Sequence, residues 1–332
     1  MVAIVDRRKA ISLLAASAAT PWLNGRADAQ GGIQEDAVIS VDVEVVNILA
    51  TVRDGKGGLV KDLNKDDFIL EENGKRQTIR YFSQQTDLPL TVGLLVDTSV
   101  SQQRLIGEEQ RAAGQFFSQV LRLDKDLAFL ISFDINIELL QDLTGSQRLL
   151  ERALGDLQVE RANRGMHPGP VPTSGRPVGT ALYDAVFLAS DEMMRQQVGR
   201  KAVVLISDGM DYGSRVSRED AIEASQKSDV VVYGVRFYDR GFYYRQGGFG
   251  GGGSGALKKM ARETGGNVFE VSRKRTLRQI FDEIQNELRN QYSIGFSPEG
   301  GSNESGRREI SLRTRRKGLK VQARTGYYPK GS

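Results

Sequence analysis

The sequence predicts an α/β fold in which a doubly wound, mainly parallel sheet is inserted in a small, discontinuous β-sandwich-like domain. Apolar runs at residues 92–96 and 202–206 lack polar alternation, which indicates strands buried on both faces of a sheet. Between residues 89 and 289 such runs alternate with amphipathic helical patterns, as they do when helices cover a parallel sheet. Short strands of alternating polarity lie on either side, in residues 30–88 and 290–328. Because a two-stranded piece is marginal alone, we expect the two parts to form one β unit.

The composition limits the chemistry that the chain supports. Its 332 residues include one His and no Cys, which excludes disulfides, thiolate sites and iron–sulfur clusters and disfavours a His-rich zinc site. Any bound metal must therefore be held by oxygen ligands, which Mg²⁺, Mn²⁺ and Ca²⁺ prefer. Part of the net charge of +4 lies in the N-terminal segment, so we do not expect a nucleic-acid partner.

Residues 1–29 have the three parts of a secretory signal peptide. Its N-terminal region is basic and includes Arg7 and Arg8. A short apolar stretch follows at 10–19, and two alanines separated by one residue follow at 27–29. The apolar stretch is well below the roughly 20 residues that cross a bilayer. The paired arginines resemble the twin-arginine export signal, and a disordered N-terminal tail is the alternative. We expect a mature protein without a transmembrane segment, in the periplasm or outside the cell.

The first part of the β unit contains strand and turn patterns but no evident chemistry. Val41, Val43 and Val45 alternate with acidic residues, as in a half-buried strand, and Asn73-Gly74 is a strong hairpin signal. An acidic cluster in this part lacks the spacing of a calcium loop, so we interpret it as a solvated turn. The cluster comprises Asp62, Asp66, Asp67, Glu71 and Glu72.

Each element of the α/β domain has its own signal. Strands are predicted at 90–96, 127–133, 135–140, 201–207, 230–237 and 268–271, and helices at 105–121, 146–157, 180–194, 217–227, 256–264 and 276–289. The first helix carries apolar residues at helical spacing. Ser146 and Ser217 are placed to cap helix N-termini, and Gly265-Gly266 ends the fifth helix.

Two loops interrupt this pattern. Residues 161–178 are rich in Pro and Gly and hold His167, which we expect to be exposed. Residues 241–255 are rich in Gly and contain four aromatic residues. This second loop lacks the GK[ST] of a phosphate-binding loop, so we interpret it as a mobile surface loop, with an aromatic recognition loop as the alternative.

The C-terminal part of the β unit is strongly basic. Residues 307–324 contain eight basic residues and one acidic residue. We interpret them as the solvated face of an edge hairpin, in which Lys and Arg also prevent pairing between edges. An anion-binding or membrane-surface patch is the alternative.

Oxygen-bearing side chains follow two of the buried strands. Asp97, Ser99 and Ser101 come directly after the first apolar run, and Asp208 follows the second. Thr180 begins a helix after the Pro-rich and Gly-rich loop. The carboxyl ends of parallel strands share one edge of a sheet, where open α/β sheets bind ligands, so we expect these side chains to converge. Two carboxylates and three hydroxyls at one edge predict a cation site.

The segments DTSVS at 97–101, GTALYD at 179–184 and ISDG at 206–209 resemble the von Willebrand factor A domain family, which includes integrin inserted domains. The resemblance spans the predicted domain and implies a metal-ion-dependent adhesion site. The matching residues are Asp97, Ser99, Ser101, Thr180 and Asp208. By this resemblance the serines would ligate directly, the threonine directly or through water, and the aspartates through water. Asp184, one helical turn after the threonine, would orient the threonine loop or pair with an Arg rather than ligate.

The implied cofactor is a divalent cation, with Mg²⁺ favoured and Mn²⁺ or Ca²⁺ as alternatives. Because neutral hydroxyls and water leave such a cation much of its charge, it can accept a carboxylate from outside. We therefore expect an exported, metal-dependent protein-binding module whose partner offers an Asp or Glu. The segments DFILEENG at 67–74 and QYSIGF at 291–296 also resemble exported bacterial proteins related to von Willebrand factor A, which implies no specific partner.

Two other functions remain open from the sequence. One is a metal-independent structural component of the cell envelope, and the other is a metal-dependent hydrolase. The chain has no G-x-S-x-G motif, no Cys and a single His, so the usual acid–base apparatus is missing and we do not expect an enzyme.

Overall fold

The strands and helices follow each other in the order that the sequence patterns predict. The strands are β1 (Val46–Arg53), β2 (Phe68–Glu72), β3 (Lys75–Gln77), β4 (Tyr81–Gln84), β5 (Leu90–Asp97), β6 (Leu127–Phe133), β7 (Ile137–Thr144), β8 (Arg200–Ser207), β9 (Val230–Arg236), β10 (Val268–Glu270), β11 (Tyr292–Phe296), β12 (Arg308–Thr314), β13 (Lys320–Ala323) and β14 (Gly326–Tyr327). The helices are α1 (Ile106–Val120), α2 (Gln147–Asp156), α3 (Leu182–Leu188), α4 (Arg218–Lys227), α5 (Ser254–Thr264) and α6 (Leu277–Arg289). The computed structural model describes residues 45–84, 87–158, 180–238, 253–298 and 306–329.

The central sheet has the spatial order β10-β9-β8-β5-β6-β7. Its neighbouring strands pair in parallel, except for β6 and β7, which are antiparallel. This is the order of a doubly wound sheet, in which the direction of winding reverses between β5 and β8. The predicted α/β fold is therefore confirmed.

Helices cover both faces of this sheet and bury its apolar strands. Alternate residues of β5 face opposite sides: Leu94 and Val96 join a core with α1, α2 and α6, whereas Leu95 joins a core with α3, α4 and α5. All three side chains are fully buried. Burial on both faces explains why the strand sequence shows no polar alternation.

The β unit consists of two four-stranded antiparallel sheets built from both ends of the chain. The first has the order β13-β1-β11-β4 and the second has the order β14-β12-β2-β3. The α/β domain is inserted between β4 and β11, as the sequence predicts. The two sheets share an apolar core that includes Ile48, Leu70 and Ile294. The predicted hairpin between β2 and β3 is also present, with Asn73 and Gly74 at positive φ.

The interpretation of the acidic cluster and of the basic tail as solvated is wrong for Glu72 and Arg308, which are buried, whereas Arg313 and Arg316 are exposed as predicted. The cluster and the tail pair with each other, because β2 and β12 are antiparallel neighbours. The ion pairs are Arg308 with Glu72, Arg313 with Glu71, and Arg316 with Asp62 and Asp67. The predicted edge hairpin is wrong as well, since β12 and β13 lie in different sheets.

Smaller differences concern helix and strand ends. Ser146 precedes α2, but its side chain makes no capping hydrogen bond. Ser217 does cap α4, in a capping box with Asp220. After α3 the chain continues as a π-helical turn over Ala189–Met193, and β7 runs four residues beyond its predicted end.

Several predictions lie outside the described residues. They concern the signal peptide at 1–29, the strand residues Val41 and Val43, the loop at 161–178 with His167, and most of the loop at 241–255.

Candidate metal centre

The oxygen-bearing residues lie where the winding of the sheet reverses. The neighbouring strands β5 and β8 pair in register up to Val96 and Ile206. Asp97 is the last residue of β5, and Asp208 directly follows β8. Both side chains are buried, so both carboxylates lie under one rim of the sheet. We call Asp97, Ser99, Ser101, Thr180 and Asp208 the rim site.

Asp97 organises the first loop of the rim site. Its Oδ1 accepts a hydrogen bond from the Ser99 amide at 3.0 Å, and its Oδ2 accepts one from the Ser207 hydroxyl at 2.6 Å. Ser99 then begins a single 3₁₀ turn over Val100–Gln102. The carboxylate at the end of β5 thus fixes the backbone that carries both serines.

A chain of hydrogen bonds joins the first loop to the loop after β8. The Ser99 and Ser101 hydroxyls are 2.9 Å apart, and the Ser101 hydroxyl donates to Asp208 Oδ2 at 3.1 Å. Asp208 Oδ1 in turn accepts from the Met210 amide at 2.9 Å. Four of the five predicted residues are therefore brought together by direct contacts.

Backbone bonds hold Thr180 at the same rim. It is buried just before α3, and its carbonyl accepts from the amides of Tyr212 and Gly213 in the loop after β8. The next amide, that of Ala181, donates to the carbonyl of Asp134 at the end of β6. Thr180 is thus anchored to the loops on both of its sides.

Two residues that the sequence analysis missed fix the start of α3. Asp211 Oδ1 accepts from the amides of Leu182 and Tyr183 at 2.9 and 3.3 Å. Ser214 Oγ accepts from the amides of Tyr183 and Asp184 at 2.9 and 3.2 Å. They satisfy amides of the first helical turn from a distant loop. A carboxylate three residues after Asp208 was the available signal.

Asp184 supports the same contact from the opposite direction. Its carboxylate accepts from the amides of Arg215 and Val216, with distances of 2.9 to 3.0 Å. The structure therefore places it as a brace for the loop after β8, where it bonds to the backbone of Arg215 rather than to its guanidinium.

Gly209 allows a close approach beside Asp208. It has a φ of +85°, and a Cβ there would lie 2.4 Å from the carbonyl oxygen of Gly253. Gly253 lies in the Gly-rich loop at 241–255 and directly precedes α5. The start of α5 is consequently packed directly on the backbone of the rim site.

The electrostatics of the rim site favour a bound cation. Burial, together with the nearby charge of Asp208, raises the pKa of Asp97 to about 7, although hydrogen bonds from Ser207 and Ser99 partly offset this. In the described ranges no three His, Cys, Asp or Glu side chains are grouped to hold a metal. A cation at this rim must therefore use hydroxyls beside the two carboxylates, a hard oxygen set that suits Mg²⁺, Mn²⁺ or Ca²⁺.

A further carboxyl group is buried behind Asp97. Glu109 of α1 is fully buried, and neither of its oxygens has a hydrogen-bond partner among the described residues. Burial first, and the charge of Asp97 second, raise the pKa of Glu109 well above its ordinary value. Burial therefore favours the neutral form of Glu109, and its position among polar residues at the start of α1 gave no signal in the sequence.

Comparisons with known proteins give structural resemblances only. No family profile and no curated protein sequence matches the chain. BatB of Bacteroides thetaiotaomicron is similar at 17% identity over 60% of this chain and 97% of its own, with a TM-score of 0.41. The mussel byssus protein PTMP1, with a zinc-occupied MIDAS motif, is similar at 15% identity over 66% of this chain and 50% of its own, with a TM-score of 0.47. The SpRpn10 VWA domain is similar at 11% identity over 59% of this chain and 95% of its own, with a TM-score of 0.40.

Proposed function

We propose that this chain, whose α/β domain has the von Willebrand factor A-type fold, holds a divalent cation at the rim site and thereby binds a carboxylate of a protein partner. The observation that carries the proposal is the hydrogen bond between Ser101 and Asp208, at 3.1 Å. It joins oxygens from the ends of two strands at the reversal point, where doubly wound sheets bind ligands.

The residues divide into those that contact the cation and those that position others. Asp97 uses one oxygen for the Ser99 amide and the other for the Ser207 hydroxyl, which suits a role through water. The Ser99 and Ser101 hydroxyls face each other and are available as direct, neutral ligands. A cation bound there would supply a coordination position at which an incoming carboxylate oxygen replaces water.

We propose binding rather than catalysis for this site. A hydrolase would need a base to activate water, and both oxygens of Asp97 are already hydrogen-bonded. The sequence offers one His and no Cys, so side chains that commonly act as base or nucleophile are scarce in it. These facts support a receptor for carboxylates over an enzyme.

We further propose that the protein is exported and acts outside the cytoplasm. The signal-peptide pattern at residues 1–29 supports this. Within the described ranges, no helix combines the length and apolar character of a membrane span. Mass spectrometry of protein from fractionated cells should find a mature N-terminus near residue 30, and a cytoplasmic, full-length chain would contradict the proposal.

Carboxylate capture is tested most directly with Mn²⁺-loaded protein. Bound Mn²⁺ relaxes the protons of its exchanging waters, so N-acetyl-glutamate amide should lower the relaxation enhancement when its carboxylate replaces a water. N-acetyl-glutamine amide is the matched control ligand and should have no effect. An equal effect of both ligands, or of neither, would contradict the proposal.

The matched variants locate this effect at the rim site. Ser99→Ala should weaken the response to the glutamate ligand, because it removes a direct ligand. Asp126→Asn is the control: Asp126 is also a buried carboxylate, but it bonds to Arg122 and to the Leu90 amide at the other end of the strands. A metal-independent structural component would give no response in any of the three proteins.

A further inference from the structure

A second candidate site lies where the β unit meets α5. A cleft of about 680 Å³ is bounded by residues 309–312 of β12, by β13 and by residues 258–262 of α5. Its volume is within the range of about 300–1,000 Å³ that is common for ligand sites. We call it the seam cleft. It is separated from the rim site by the length of α5, whose first turn packs beside Gly209 and whose last turns line the cleft.

The seam cleft is bordered by two strand edges that have no neighbouring strand in the described part of the chain. β13 is the outermost strand of its sheet and pairs only with β1. In β12, only Arg308 and Glu309 pair with β14, so Ser311 and Leu312 have β2 on one side and the cleft on the other. β12 and β13 follow each other along the chain but lie in different sheets, so a gap remains between their edges.

The register shows which backbone groups of β13 face the gap. Val52 of β1 lies opposite Val321, and its carbonyl accepts from the Val60 amide at 2.9 Å on the side away from β13. In antiparallel pairing the N–H and C=O of one residue point to the same side, so Val52 and Val321 are a non-hydrogen-bonded pair. The amide and carbonyl of Val321 therefore point away from β1, towards the seam cleft.

The side chains around the seam cleft are predominantly basic. Lys258 and Lys320 are exposed and make no ion pair with any described residue. Arg262 and Arg324 are paired with Glu263 and Asp229. Ile310, Leu312 and Val321 also line the cleft, although they pack in or against the core of the β unit. One exposed carboxylate, that of Glu309, lies in the same lining. The cleft therefore offers an unpaired strand edge and an excess of positive charge, since its two unpaired lysines outnumber the one unpaired carboxylate.

We propose that the seam cleft binds an extended acidic peptide segment of a partner, which adds as a strand to the edge of β13. Strand addition supplies backbone hydrogen bonds, and pockets for alternate side chains supply specificity. A second copy of the chain does not fit this edge, because it would bring Lys320 against an equally basic strand. Charge complementarity selects a partner segment in which Glu or Asp alternates with small apolar residues.

The probe for this proposal is a short fluorescein-labelled peptide of alternating Glu and Val, measured by fluorescence anisotropy in EDTA. We expect binding that weakens by about tenfold when NaCl rises from about 0.05 M to about 0.5 M, because the lysines are exposed and screened. A peptide of alternating Lys and Val is the control and should not bind. EDTA separates this site from the rim site, since peptide that binds only with Mg²⁺ would be held at the rim and would overturn the proposal.

Two variants test separately the charge of the lysines and the backbone N–H at the edge of β13. In Lys258→Glu/Lys320→Glu, both substitutions are on exposed side chains, and the preference should switch from the Glu-Val to the Lys-Val peptide. Val321→Pro removes the edge-facing N–H at a position where an edge strand tolerates Pro, and it should weaken Glu-Val binding by about tenfold relative to Val321→Ala, which loses packing against the core of the β unit but keeps the N–H. Unchanged peptide preference in the charge-reversed protein, or no binding by the wild type, would show that the lysines only block pairing between edges.

Discussion

At the scale of single residues, the two carboxylates of Asp97 and Asp208 give the rim site an excess of negative charge. The second carboxylate and burial together raise the pKa of Asp97 to about 7. A cation binds the deprotonated form, so cation binding and proton release are coupled. This coupling makes pH a probe of the site.

We predict that Mn²⁺ affinity rises with pH up to about 7, by at most about tenfold per pH unit, and levels off above it. Below this value the cation must displace a proton from Asp97, and above it the carboxylate is already charged. Calorimetric titration in two buffers with different ionisation enthalpies measures both the affinity and the released proton. Asp97→Asn should bind more weakly and lose this dependence, and an affinity that is flat from acid to neutral pH would contradict the account.

Because Glu109 is buried, we predict that the free energy of unfolding depends on pH. Its pKa is raised in the folded protein above the ordinary value of 4.5, so the folded state holds its proton more tightly than the unfolded state does. Its contribution to stability is therefore fully present below about 4.5 and is lost as the pH rises towards the folded pKa. Urea unfolding as a function of pH should show Glu109→Gln losing less stability than the wild type between these limits. Glu108→Gln, at the exposed neighbour, should keep most of the pH dependence of the wild type, because the charge of Glu108 is the smallest of the three causes that raise the pKa of Glu109.

At the scale of elements, the contact between α5 and the loop after β8 depends on glycine. We predict that Gly209→Ala destabilises the protein by about 1–3 kcal/mol, because the residue has a positive φ and its Cβ would meet Gly253. Gly114→Ala in α1 is the matched control, since its Cβ would meet only Leu154 at 3.8 Å. It should stabilise the helix by about 0.5–1 kcal/mol. Denaturant unfolding measures both, and equal effects would contradict the close approach.

Adjacent ion pairs between β2 and β12 differ in burial and give a second prediction. The side chains of Arg308 and Glu72 are 8% and 6% exposed, whereas those of Arg313 and Glu71 are 59% and 27% exposed. Glu72→Gln should cost about 3–5 kcal/mol, because it removes the carboxylate from a buried ion pair. Glu71→Gln should cost less than about 1 kcal/mol. Similar losses in the two variants, in the same denaturant titration, would show that the pair is not buried in solution.

Local signals predict the elements well, and long-range pairing explains what they miss. The hairpin at Asn73-Gly74 and the cap at Ser217 depend on neighbouring residues, and both are confirmed. The pairing of Glu72 with Arg308 joins residues 236 positions apart, so each charge alone resembled a solvated one. Ser146 shows the converse, since a suitable residue at a cap position made no capping bond.

At the scale of the whole molecule, the α/β domain is inserted between β4 and β11 of the β unit. The sequence predicts that Asp97 and Asp208 meet, because both follow buried strands of a parallel sheet. It does not predict the support from Asp211 and Ser214, which depends on how the loop after β8 folds onto α3. Buried Glu109 was also not predictable, since it lies among polar residues at the start of α1.

The β unit is built from both ends of the chain, so we predict that removal of its C-terminal part destabilises the N-terminal strands. β12 lies between β2 and β14, and β13 covers one side of β1, so removal of residues 306–332 takes strands from both sheets. We expect the truncated protein to lose the cooperative unfolding of the β unit, as measured by hydrogen exchange of β1 and β2 amides. Retained protection of those amides would show that the N-terminal strands are stable without the tail.

The central claim is that the rim site holds one divalent cation, and calorimetric titration of Mg²⁺ and Mn²⁺ into EDTA-treated, dialysed protein tests it most directly. The wild type should bind one ion per chain. At a cation concentration a hundredfold above the dissociation constant, the free energy of unfolding should increase by about 2.7 kcal/mol, and the melting temperature should rise accordingly. Ser99→Ala/Ser101→Ala should lose this binding, whereas Ser146→Ala, at an exposed serine without a capping bond, should retain it. Absence of binding in the wild type, or equal binding in the double variant, would contradict the account.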